Sequence, residues 1–113
     1  MHEIALAEEV VRIVEETARR SAACVVRTVV LEIGRLSSVE VEALRFCFAA
    51  AARGTIAQAS ALEIIEIPGA GTCRACGATV PMDEMWGECP VCDGGVLQPS
   101  AGTEMRVREI DVV

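Results

Sequence analysis

Near the start of the chain, apolar residues recur at three- and four-residue steps. Ile4, Ala7, Val11, Val14 and Ala18 form one stripe, which predicts a helix over residues 4–20. Glu8 and Glu9 stand in its early turns and Arg19-Arg20 at its end, each matching the nearer pole of the helix dipole. The period then changes. Residues 24–33 (CVVRTVVLEI) are rich in β-branched side chains and alternate between two faces. Val25, Arg27, Val29, Leu31 and Ile33 share one face; Cys24, Val26, Thr28, Val30 and Glu32 share the other. This predicts a strand, closed by Gly34.

Helical spacing returns next. Ser37-Ser38-Val39-Glu40 fits a capping box, with Leu36 and Val41 placed as a hydrophobic staple, so a second helix is expected to start at Ser37. Val41, Leu44, Phe48 and Ala51 make its core stripe, and Gly54 after Arg53 is the expected C-terminal glycine. Residues 62–67 (LEIIEI) read as a second strand closed by Pro68-Gly69. Residues 104–112 read as a third, whose alternation breaks at Arg108-Glu109, where a bulge is expected. Strand, helix and strand in that order form a right-handed crossover. The expected fold is therefore α/β: a small three-stranded mixed sheet packed with two helices, plus an inserted module. The expected domains are 1–68 with 103–113, and 69–102.

The chain has 113 residues, enough for one domain or a small domain with a satellite. Its aromatic residues are only Phe46, Phe48 and Trp86. The 69–102 stretch is too short and too rich in Gly and Pro to fold on apolar burial alone, so it needs a staple. Net charge is −7 and lysine is absent, a balance that repels phosphate backbones and argues against a nucleic-acid partner. There is no apolar run of membrane-spanning length and no basic-then-apolar leader. A cytoplasmic protein without a membrane partner is the expectation.

The staple is legible. Cys73-x-x-Cys76 is followed by twelve residues and then Cys89-x-x-Cys92. Two such knuckles can wrap one tetrahedral ion, because each loop delivers two thiolates from adjacent turns. Four thiolates select Zn²⁺, with iron in a rubredoxin-like site as the rival. Gly77, Pro90 and Gly94 punctuate the loops as tight ligand turns require. Disulfide pairing is set aside because four of the six cysteines keep knuckle spacing and no export signal is seen. A saturated four-thiolate ion has no open position, so the site is structural. Trp86 and Met85 are expected to cover it, and Cys24 and Cys47 to be core residues.

The other candidate chemistry lies in Met1-His2-Glu3. His2 is the only histidine, and a lone histidine at a chain end is ordinarily just solvated. Here a bulky second residue disfavours removal of the initiator methionine, so the free amine is expected to belong to Met1. That amine, the His2 backbone nitrogen and the His2 imidazole Nδ1 can close adjacent chelate rings around one ion. Deprotonated amide nitrogens favour square-planar Ni²⁺ or Cu²⁺. The fourth corner is open to the Glu3 carboxylate, its backbone nitrogen, water or a partner's donor. A site with a replaceable corner can hand its ion over.

Taken together, the chain resembles the HypA/HybF family of hydrogenase nickel-incorporation proteins. The residues that carry the resemblance are Met1-His2-Glu3, the run 30–37 (VLEIGRLS), Val39-Glu40-x-Glu42-Ala43-Leu44-x-Phe46, Gly54-Thr55, Ala61-Leu62-Glu63-Ile64, both knuckles and Gly102-Thr103-Glu104-Met105. The resemblance implies a metallochaperone rather than an enzyme. It implies transferable Ni²⁺ at His2, the Met1 amine and Glu3, and structural Zn²⁺ at Cys73, Cys76, Cys89 and Cys92. Residues 1–68 with 103–113 would be the nickel-binding domain and 69–102 the zinc-binding domain. The implied partners are a nickel-handling GTPase of the HypB type and the [NiFe]-hydrogenase large-subunit precursor. Some members also serve urease maturation, which adds those proteins, and a homodimer is compatible with the chain. Some members carry further histidines near the knuckles; this chain has none. The rival reading of the residues alone is a zinc-ribbon adaptor that binds a macromolecule and never carries nickel.

Overall fold

A computed structural model describes residues 2–113. The elements run α1 (Glu3–Arg20), β1 (Val26–Gly34), a 3-10 turn (Arg35–Ser37), α2 (Val41–Ala51), β2 (Ala61–Ile67), β3 (Ala70–Cys73), β4 (Thr79–Pro81), β5 (Leu97–Ala101) and β6 (Met105–Val112). They form two three-stranded sheets, ordered β2-β1-β6 and β4-β3-β5. Two helices with a β2-β1-β6 sheet, and a separate small sheet between β2 and β6 in the chain, are the α/β fold with an inserted module that the pattern predicts. Among the described residues no helix is long and apolar enough to cross a membrane.

The chain divides into two compact units. One takes the chain up to Glu32 with Val39–Ile65 and Arg106–Val113; the other takes Ile33–Ser38 and Glu66–Met105. In the first, α1 buries Ala7, Val10, Val11, Val14 and Ala18, and α2 buries Leu44 and Phe48. Val26, Val29, Val30 and Leu31 of β1 join this core. Each fully buried side chain of this size contributes about 1.5–3 kcal/mol, so the apolar stripes of α1 and β1 account for the folding of this unit. The exposed face of α1 carries Arg12 paired with Glu9 and Glu16, and Arg20 paired with Glu16. Such solvated pairs add only tenths of a kcal/mol each, at about 0.2–0.5.

Two local expectations are corrected. Helix α2 starts at Val41, not Ser37. Residues 35–37 make a 3-10 turn, Ser38 takes a left-handed φ of 64°, and Glu40 is the cap, its side chain accepting the Glu42 N–H. The Ser37 hydroxyl donates to the Gly34 carbonyl at 2.6 Å. A serine hydroxyl can close a turn on its upstream side as readily as cap a helix downstream. Likewise no net bulge interrupts β6. Val25 and Val113 exchange backbone hydrogen bonds at one end of the β1–β6 pair, and Gly34 donates to Glu104 at the other. The strands run antiparallel, and the same number of residues separates the two ends on each. Instead of a bulge, the broken alternation reflects ion pairing: Glu32 holds Arg106, with Arg108 at 4.0 Å.

The second unit has its own small core of Leu36, Met82, Leu97, Cys73 and Cys89, with Val80 against it. β3 pairs antiparallel with β4 and β5. Gly34 and Gly102 approach so closely that a Cβ on Gly34 would stand 1.9 Å from the Gly102 carbonyl oxygen. Only glycine fits there, and the approach lets the Leu36 N–H reach the Gly102 carbonyl at 2.7 Å.

Candidate metal centres

The β3 strand ends in Cys73, and the turn after it returns Cys76. The Gly77 N–H donates to the Cys73 carbonyl at 2.9 Å, and Gly77 takes a φ of 77°. The second knuckle is anchored by the Cys89 N–H on the Gly95 carbonyl at 2.7 Å and by left-handed φ values at Asp93 and Gly94. These turns bring all four sulfurs within 4.8 Å of one another. Cys73 and Cys92 stand 3.6 Å apart and Cys76 and Cys89 3.7 Å apart, each pair taking one sulfur from each knuckle. A zinc tetrahedron with arms of about 2.3 Å has edges of about 3.8 Å, which these separations match, whereas a disulfide needs about 2 Å. All six cysteines are free thiols.

The backbone favours thiolates here. Ala75 and Cys76 N–H groups point at the Cys73 sulfur at 3.3 and 3.4 Å, and the Val91 N–H at the Cys89 sulfur at 3.4 Å. The Cys76 N–H foremost, with that of Ala75 and the neighbouring thiols, draws Cys73 down to about 6 against the opposing effect of burial. The Cys73 sulfur in turn pushes Cys92 up to about 12. The Cys73 thiolate forms easily, whereas Cys76 and Cys92 resist. Four coexist only with a cation among them. The donor set thus suits a structural zinc. Gly95 borders it: a Cβ there would meet the Cys73 sulfur at 2.3 Å and the Cys92 sulfur at 2.9 Å.

At the chain start, His2 is the N-cap of α1, with φ −90° and ψ 106°, exposed and with no side-chain capping bond. Its carbonyl accepts the Leu6 N–H, the first bond of the helix. Glu3 is the first helical residue, and its Oε2 accepts the Glu40 N–H at 3.0 Å. That bond is the main reason the Glu3 carboxyl sits below the usual carboxylate range. Met1, the third expected nickel donor, lies outside the described residues. Among the described residues the four cysteines are the one group of three or more metal-type side chains drawn together; His2 and Glu3 are neighbours without a third such ligand.

A profile described as "Hydrogenase/urease nickel incorporation, metallochaperone, hypA" matches residues 1–112. The chain belongs to the HypA family. It is 60% identical over 112 residues to the hydrogenase maturation factor HypA of Dechloromonas aromatica, covering 99% of both chains. It is 52% identical, with the same coverage, to the corresponding HypA of Albidiferax ferrireducens. The fold is similar to the solution structure of the nickel metallochaperone HypA from Helicobacter pylori, with a TM-score of 0.73 at 21% identity, covering 100% of this chain and 98% of that one.

Within this HypA-family fold two expectations about side chains fail. Trp86 does not cover the cage: it is 84% exposed, and Met85 is 38% exposed. The cage is backed by Leu36, Met82 and Leu97, which pack with Cys73 and Cys89. Cys24 is exposed and Cys47 half-buried, because Cys24 precedes β1 and Cys47 lies to the side of the Leu44–Phe48 stripe. Glu40 has a role that its place in the capping box does not signal. Its backbone N–H holds Glu3 in place, and a contact across thirty-seven residues leaves no local spacing signal.

Proposed function

We propose that this chain is a nickel carrier for hydrogenase maturation. It takes Ni²⁺ at the Met1 amine, His2 and Glu3, and holds a structural Zn²⁺ at Cys73, Cys76, Cys89 and Cys92. The observation that carries the reading is His2: it caps α1 from an exposed position without spending its imidazole on the cap. Membership of a nickel-incorporation family supports the same assignment. The Glu3 carboxylate, bonded to the Glu40 N–H through one oxygen, steadies the segment on which His2 stands.

Delivery follows from ligand chemistry. Planar nitrogen donors at a chain end bind by losing protons and release the ion when protons or competing donors return. The recipient is the [NiFe]-hydrogenase large-subunit precursor, with a nickel-handling GTPase of the HypB type as working partner, in the cytoplasm. A closed thiolate cage leaves no position for substrate water, so the chain carries and does not catalyse.

His2→Ala should abolish selective nickel uptake by untagged protein while zinc content and circular dichroism stay unchanged. An added N-terminal extension, which removes the Met1 amine, should cause a comparable loss. Nickel affinity unchanged in both variants would overturn the terminal site.

A further inference from the structure

The loop from Asp83 to Glu88 presents a large aromatic side chain to solvent with no work to do in the fold. Trp86 is 84% exposed, although an indole normally supplies a protein with one of its largest apolar burials. It stands between two hollows of about 390 and 360 Å³, both also bordered by Asp83 and Glu84. The first adds Glu88, with Met82 and Leu97 among its apolar lining, and no basic residue; the second has Arg35. Asp83, Glu84 and Glu88 enter none of the ion pairs among the described residues. No lysine or arginine occurs anywhere between Ala75 and Gly102.

We propose that this loop docks an arginine-bearing, extended segment of a partner protein, with a guanidinium laid on the Trp86 indole and held by Asp83 and Glu88. The charge chooses the occupant. Three unpaired carboxylates repel phosphate and anionic membrane, and they attract a cation that can also stack. A planar guanidinium does both, accepting the indole face and donating two parallel N–H groups to a carboxylate. Arg35 closes the second hollow to a further cation, so the arginine belongs on the Glu88 side.

The test uses the full chain, nickel-free and with measured zinc content, so its outcome is independent of the terminal nickel site. The probes are blocked peptides alternating glycine with arginine, lysine or glutamate. Trp86 is the only tryptophan, so its emission reports binding directly. The arginine peptide should bind saturably and about fivefold more tightly than the lysine peptide, with none for glutamate. D83N/E88Q should weaken it, and W86A, read by calorimetry, should erase the arginine preference at unchanged zinc content. The proposal is overturned by absent saturation, by equal arginine and lysine affinities, or by a preference that survives W86A. It is equally overturned if neutral phosphatidylcholine vesicles, and not the peptide, shift the emission to the blue.

Discussion

The Glu3 carboxylate shows how much one side chain can settle. Its bond to the Glu40 N–H ties the first turn of α1 to the residue that caps α2. Because that N–H holds the Glu3 carboxyl below its usual range, the sign of the pH effect is fixed. The tie is complete above the ordinary carboxylate range and is lost as pH falls through the lowered value. In amide NMR the Glu40 N–H should therefore titrate with a midpoint below that of a free glutamate. In Glu3→Ala the same amide should exchange severalfold faster at neutral pH, with the α2 interior unaffected. At this scale the sequence displays the identities of His2, Glu3 and the cysteines but not their long-range partners. Trp86 departs from its expected place for the same reason. A tryptophan beside a metal loop suits a cover, and only the packing of Leu36, Met82 and Leu97 shows the place already filled.

Among elements, the periodic ones were legible to within two residues. α1, β1, β2 and β6 each carry an apolar repeat longer than any competing signal. The start of α2 was not legible, because Ser37-x-x-Glu40 satisfies a capping box that the chain does not use. The chain instead turns through Ser38 at φ 64° and caps the helix at Glu40. That conformation costs a β-branched residue about 1–2 kcal/mol and glycine almost nothing. Ser38→Val should lower the urea midpoint by an equivalent amount, while Ser38→Gly should leave it level or slightly raised. The short strands β3, β4 and β5 had no signature either. They span four, three and five residues, too few for a repeat to register.

For the whole molecule, the two compact units have different sources of stability. The unit with α1 and α2 closes over aliphatic stripes, whereas the other has only Leu36, Met82, Leu97, Val80 and two cysteines at its centre. Such a core is too small to stand without its metal. Removing zinc with a strong chelator should therefore collapse the NMR dispersion of residues 70–101 while the helical circular dichroism remains. Zinc added back should restore it. Loss of helicity in step with zinc would contradict this division.

The four sulfurs are not equally sheltered. Cys73 and Cys89 are 2% and 1% exposed, whereas Cys76 and Cys92 face solvent. Each knuckle thus sets its first cysteine inward and its second outward, giving the cluster a front and a back. A chelator, oxidant or rival soft ion arrives at the outer pair. Were that pair to let go, Cys73 and Cys89 would still offer a bound ion one inner sulfur from each loop, so the outer thiolates would exchange before the module that they help to fasten begins to open.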